Sequence, residues 1–495
     1  MSNQTRFTRW CSAALVAALV AACGGGGGSV GGIDRLGVTS SSGSITQIGS
    51  IFVNGVEWRT DTADITVDDT SGIESELRVG QVVVVTGDLD PSGTSGRAET
   101  VDVDSLVDGP IASINTVAET FVVLGQTVRV LPSTAFDDSL PDRNGDQSRT
   151  FADLRVGDAV EISGFRDSGN VIRATRIERD DDGDLLEVRG VVTSADASNN
   201  RFNIGSLTVD YDGAALDDGF APEPAVGQFV EAEGVLSGGI LVADSVELED
   251  GLSSEEGDEA EVEGYITDFT SASVVFRVNG VRVQAGAGIG AGIRDQLDNN
   301  VKIEAEGEFN ASGILIADDI EIRVQDGDED VEIAGRVNSV VGNTVTIDDI
   351  TIVIRVDAAT RLEDSSDLDL PEFGLGDLVA GDYVEIRAAV DPSAATNDVI
   401  ATRLERDEVD DEFILQGPVS AINEPEITIL GVDIDTDIAV FLIDDEDVGE
   451  VAFFAALNAA PNPVVKVKAD FADVVADTVL ALEVELEDVD GSNDD

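Results

Sequence analysis

One pattern recurs six times along the chain and limits its fold more than any other feature. A glycine followed by an alternating run opens each unit: Gly43-Ser44-Ile45, Gly109-Pro110-Ile111, Gly190-Val191-Val192, Gly264-Tyr265-Ile266, Gly335-Arg336-Val337 and Gly417-Pro418-Val419. The spacing runs from 66 residues (Gly43 to Gly109) to 82 (Gly335 to Gly417). That is longer than a solenoid repeat of about 20–50 residues and matches a small domain. Apolar residues at every second position mark half-buried strands. Each unit therefore reads as a small all-β module.

Within a unit, a second strand follows the first, as in Phe52-Val53-Asn54-Gly55, Phe121-Val122-Val123 and Phe276-Arg277-Val278-Asn279-Gly280. Asn-Gly between alternating runs favours a tight hairpin, because both residues tolerate positive φ. Phe276–Val278 should thus pair with Val281–Val283. A variable segment comes next, with a short helix expected around Ala152-Asp153-Leu154 in the second unit. The fourth strand begins at a turn: Val79-Gly80-Gln81, Val156-Gly157-Asp158, Val226-Gly227-Gln228 and Ala380-Gly381-Asp382. The fourth and sixth units replace it with Asp298-Asn299-Asn300 and Ala460-Pro461-Asn462. A last strand such as Thr175-Arg176-Ile177-Glu178 closes the unit. Five strands interrupted between the third and fourth give six tandem, small, five-stranded OB-like barrel modules; a two-sheet sandwich is the other arrangement the pattern allows.

The boundaries fall at 43–105, 106–180, 186–250, 259–325, 330–406 and 412–488, with an acidic tail at 489–495. Acidic runs such as Asp180 to Asp184, Glu249 to Glu259 and Asp407 to Glu412 separate the units and read as solvated linkers. Independently folded beads on a string are the expectation. On the fourth strands, Glu161, Glu231 and Glu385 alternate with core residues, which places them on the outer face in a solubilising role.

The Gly-x-Ile/Val strand, the Phe-x-Val-x-Gly hairpin, the Val-Gly-Asp turn and the closing Ala-Thr-Arg-Ile-Glu resemble a tandem β-repeat of bacterial lipoproteins, domain of unknown function 5666. The resemblance extends over nearly all of the chain after its first forty residues. It implies a fold and no activity, catalytic residue or cofactor.

Composition narrows the chemistry. The chain has 100 acidic against 29 basic residues, a formal net charge of −71 and no histidine, yet 42% of it is hydrophobic, enough to build cores. Such a charge repels nucleic acid and anionic lipid head groups. Without histidine the commonest general base and metal ligand is missing. The two cysteines, Cys11 and Cys23, lie within the first 23 residues, so no thiolate nucleophile or cysteine zinc site can form downstream.

Arg6 and Arg9 precede a short apolar run, Trp10 to Val20, too short to span a bilayer as a helix of about 20 residues. The run ends Val20-Ala21-Ala22-Cys23, which resembles the bacterial lipoprotein signal, or lipobox. That resemblance implies a signal peptide at 1–22 and lipidation of Cys23, and the Gly/Ser-rich composition of 23–42 reads as a tether. Gly24 after the cysteine implies the outer membrane in envelopes that have one.

Other candidate sites are weak. Asp142, Asn144, Asp146 and Asp153 stand at positions one, three, five and twelve of a calcium loop. The glycine is misplaced, however, the last ligand is not glutamate, and no helices flank the loop. Paired carboxylates carry no signal in so acidic a chain. Trp58, Tyr211, Tyr265 and Tyr383 are the polar-tipped aromatics available after the signal, and Lys302, Lys466 and Lys468 its lysines, a poor basis for a nucleic-acid groove. The expectation is a cell-envelope protein, anchored in the membrane by an N-terminal lipid, without enzymatic activity or cofactor. It would act as a multi-module spacer, scaffold or binding array. Divalent cations, polysaccharide or envelope proteins are its candidate partners. The alternative is a surface lipoprotein with carbohydrate or cation sites on individual modules.

Overall fold

A glycine-turn residue with positive φ closes the same hydrogen bond in five of the units. The turn donates its amide to the carbonyl of the apolar residue two positions after the opening glycine: Gly80 to Ile45, Gly157 to Ile111, Gly227 to Val192, Asn300 to Ile266 and Gly381 to Val337. Their φ values run from 69° at Asn300 to 97° at Gly381. Asparagine is the residue besides glycine that best tolerates this conformation, so the fourth unit keeps the turn despite its altered sequence. The computed structural model describes residues 39–487 apart from 92, 138, 144–148, 181–185, 218, 221–222, 250–251, 253–254, 326–329, 367, 369, 371, 392–396 and 444–445.

The strand groups 39–103, 107–179, 186–248, 259–322, 331–407 and 412–487 follow one plan. In the third, strand one (Leu186–Asp196) pairs with strand two (Arg201–Ile204), which pairs with strand three (Leu207–Asp210). Strand three runs parallel to strand five (Ile240–Leu248). Strand five pairs with strand four (Phe229–Ser237), and strand four returns to strand one. The order 1-2-3-5-4-1 is a closed five-stranded barrel of OB type, and closure rules out the open sandwich. The expected hairpin of Phe276–Val278 on Val281–Val283 is present. The expected helix of the second unit is a single 3-10 turn at Phe151–Asp153. The sixth barrel places an α-helix, Glu450–Leu457, in this connection and splits strand five into Thr478–Leu480 and Glu483–Glu487.

A bulge recurs on strand four where it meets strand five, and it explains the glycine of the repeat. At Gly234 and Gly307 a Cβ would lie 2.1 Å from the carbonyl oxygens of Val242 and Ile316. At these two positions a side chain would force the backbone to shift, which glycine avoids. The fifth barrel has Ala388 at this position and keeps the bulge.

The barrels are not separate beads, which corrects the sequence-based expectation. Strand one uses one edge for strand four along its first half and the other for strand two along its second half. The first half is left with a free edge, which each barrel covers with the same edge of another. Asp108 and Val107 pair antiparallel with Glu187 and Val188, joining barrels two and three. Glu332 to Ala334 pair antiparallel with Gln416 to Ile414, joining barrels five and six. Thr39 to Ser42 run parallel to Glu259 to Val262, joining barrels one and four, which are distant in sequence. Shared edges remove the open strands that would invite aggregation. In two of the three pairs the apolar cores also fuse, one cluster running from Leu106 to Val246 and another from Val331 to Leu486, while barrels one and four keep separate clusters. The described residues from 39 to 487 belong to one compact unit.

Candidate functional site: a buried acidic seam

Pairing first strands buries the outer faces beside them. In the third barrel, outward positions on strand one hold Glu187 and Arg189, directly opposite Glu233 and Glu231 on strand four. Arg189 is 3% exposed and Glu231 2%. Glu231 therefore does not serve solubility: it faces away from its own barrel core, but neighbouring barrels cover that face.

Arg189 is the hub. Its guanidinium lies 2.9 Å from Glu187 and 2.5 Å from Glu231, both on its own barrel. Asp104, just past the last strand of the first barrel, is 2.7 Å away, and Asp69 and Glu249 each stand at 3.8 Å. One cation thus faces five carboxylates. Burial pushes Glu187 up to about 8, against the pull of Arg189 and with help from Asp68. Burial, and then crowding by Glu187, raises Glu231 as well. Glu161, opposite Asp108, is raised by burial and by the nearby Asp68, Glu178 and Asp108. The seam therefore holds protons at pH values where free carboxyls have lost them.

Glu187, Glu231 and Glu233 place one oxygen each within 4.8 Å of one another, a set able to hold a metal ion. In the structure these oxygens already have partners. Arg189 occupies the cationic position between Glu187 and Glu231, and Glu233 accepts from the Ser245 hydroxyl at 2.7 Å.

The other two seams repeat the theme with better balance. Between barrels one and four, Glu263 accepts from the Ser44 amide and hydroxyl at 2.9 and 3.0 Å and pairs with Lys302 at 2.9 Å. Burial opposes its charge, yet Lys302 and the Ser44 amide hold its carboxyl at about 2. Between barrels five and six, Glu332 pairs with Arg387 at 2.6 Å and with Lys466 at 2.9 Å across the seam. Lys468 pairs with Glu483 at 2.9 Å, so all three lysines serve structural ion pairs.

The residues singled out from the sequence take other places. Cys23, Asn144 and Asp146 lie outside the described residues. Asp153 is buried, and its carboxylate accepts from the Arg143 amide at 2.8 Å and the Thr150 amide at 3.2 Å, capping the 3-10 turn. Trp58, Tyr211, Tyr265 and Tyr383 are all buried, so none offers an exposed stacking platform. The seam was missed because alternation reports which residues leave a barrel core, not what covers the outside. The one available signal was Arg189 itself, a guanidinium one residue before an opening glycine.

A solved structure titled drosophila Unr CSD456 is similar at 15% identity, covering 43% of this chain and 97% of that one, with a TM-score of 0.14. No curated protein matches the chain. Residues 42–101, 108–178, 189–247 and 334–405, just over half of the chain and each a strand group of the plan above, match the domain of unknown function DUF5666, and the chain belongs to that family.

Proposed function

We infer that the protein is a non-catalytic scaffold of the bacterial cell envelope, anchored by lipid at Cys23 and held off the outer membrane by its Gly/Ser tether. The observation that supports this most is the sharing of first strands, which joins the barrels in three pairs and buries charged hubs between them. An acidic body so assembled behind a Gly/Ser-rich segment suits display or spacing better than turnover. Metabolic labelling with a radioactive fatty acid tests the anchor. Label is expected in the full-length protein and absent from Cys23→Ala, and equal labelling of both would defeat the assignment.

A second reading, cation binding, is favoured by the Glu187, Glu231 and Glu233 set. Melting curves separate the two. A scaffold with a solvated acidic surface gains stability from sodium chloride, which screens repulsion over about 10 Å at 0.1 M. A calcium site would raise the midpoint at micromolar calcium and matched ionic strength, by mass action.

A further inference from the structure

Barrels one to four meet around a recess of about 500 Å³ lined by both polar and apolar groups. At one position its wall is apolar where the other barrels carry charge. On strand four, the residue just past the one opposite the opening glycine points outward. It is Glu161, Glu231, Glu304, Glu385 or Lys466 in barrels two to six. In barrel one it is Val84, opposite Ser42. Val83 and Val85 already fill that barrel's core, so closure does not require Val84. Val84 rests in part against the core of barrel four and, with Phe229, Leu252 and Phe309, lines the recess. A cleft that sets apolar side chains beside a few polar groups has the form of a ligand site.

The polar groups fall into two sets. The carboxylates have partners: Asp104 and Glu249 face Arg189, and Asp102 accepts from the Thr66 hydroxyl. Arg277 and Arg282 stand directly opposite each other on the hairpin of barrel four. Arg277 donates to the Gly280 carbonyl at 2.7 Å, with Asp268 at 3.6 Å. Arg282 donates to the Ser312 carbonyl and, among the described residues, has no carboxylate partner. Two arginines at facing backbone positions with so little acidic company are unusual in a chain with 100 acidic and 29 basic residues.

We propose that this recess binds a single-chain amphiphile with an anionic head group, the head on Arg277 and Arg282 and the tail along Val84, Phe229, Leu252 and Phe309. Guanidinium groups suit carboxylate or phosphate geometry, and Val84 and Phe229 supply apolar contact. This site goes beyond the scaffold reading and does not depend on it.

Calorimetric titration of the full mature chain with sodium dodecanoate and with dodecyl phosphate, both below their micelle concentrations, tests the proposal. One saturable site is expected. Arg277→Glu/Arg282→Glu and, separately, Val84→Glu should each weaken it at least about tenfold. Tighter dodecyl phosphate would mark a phospholipid-derived ligand and tighter dodecanoate a free fatty acid; either supports the site. If Val84→Glu fails to fold, as its melting curve would show, the arginine variant decides. Absence of saturable binding, binding unchanged in the arginine variant, or equal binding of dodecyltrimethylammonium overturns it.

Discussion

Arg189 and Glu231 are cross-strand partners in the third barrel, and their side chains meet at 2.5 Å in a seam closed to solvent. Two buried charges so placed gain little over a well-packed apolar pair, but losing one of them is costly. Arg189→Met would leave Glu187, Glu231 and Asp104 without their cation. The expected loss at pH 8 is about 3–5 kcal/mol by urea unfolding. At pH 5 the loss should shrink, because the stranded carboxyls take up protons. Adding Glu231→Leu should recover part of it at pH 8. Equal losses at the two pH values would mean that Arg189 acts through packing alone.

Stability should peak in mild acid. Glutamate in an unfolded chain titrates near 4.3. Burial pushes Glu187 up to about 8, and Glu304 and Glu385 to about 7. These groups keep protons in the fold that the unfolded chain has released, so their contribution is full below about pH 4.3 and lost as pH rises through 7 to 8. Glu263 and Asp364, held at about 2 by Lys302 and Arg406 against burial, act in the opposite sense and lose their contribution as pH falls from about 4 to 2. The melting midpoint is expected to be highest near about pH 5 and to fall toward pH 8 and toward pH 3. A midpoint that climbs steadily from pH 5 to 8 would show that the seams do not hold protons.

The bulge glycines should be intolerant in proportion to their crowding. Gly307→Ala sets a Cβ 2.1 Å from the Ile316 carbonyl oxygen, which the backbone must move to relieve. A loss of about 1–3 kcal/mol is expected from that overpacking. The reverse change, Ala388→Gly, at the matching bulge of barrel five, should cost only about 0.5–1 kcal/mol through backbone entropy. Equal effects in urea melts would mean that the bulge does not select glycine.

Much of a single barrel was legible in the sequence, because barrel closure is a local matter. Period-two alternation assigned the strands, and Asn54-Gly55 and Asn279-Gly280 marked hairpins whose φ values are all positive. Leu124 and Leu430 adopt the same positive φ before a glycine, and no sequence rule would choose leucine there. The pairing of barrels was not legible. Ser40 and Ala260 meet across a seam, yet a strand edge offers only main-chain amides and carbonyls, which are alike in every residue. Ser41 and Ser42 read as tether, but they are buried, and Ser41 donates to Glu261 as Ser44 does to Glu263. Polarity misled because the partner surface is itself polar.

Barrels two and three should remain together after the chain between them is cut. The sequence between Asp180 and Leu186 is acidic and suits an inserted protease site. If the barrels were beads, cleavage would release them as two species. Their first strands, however, pair through Asp108–Glu187 and Val107–Val188, and their apolar residues form one cluster. The Gln126 side chain also donates to the Ile204 carbonyl at 2.9 Å, linking the second hairpin to the third. None of these contacts needs the connecting peptide. The cut protein should therefore elute as one species on size exclusion at pH 6 and separate into fragments only in denaturant. Raising the pH to 9 should promote separation, since Glu187 then ionises in a seam where Glu231, Asp104 and Glu249 already share Arg189. Fragments that part at pH 6 without denaturant would show that the shared strands do not hold the barrels together.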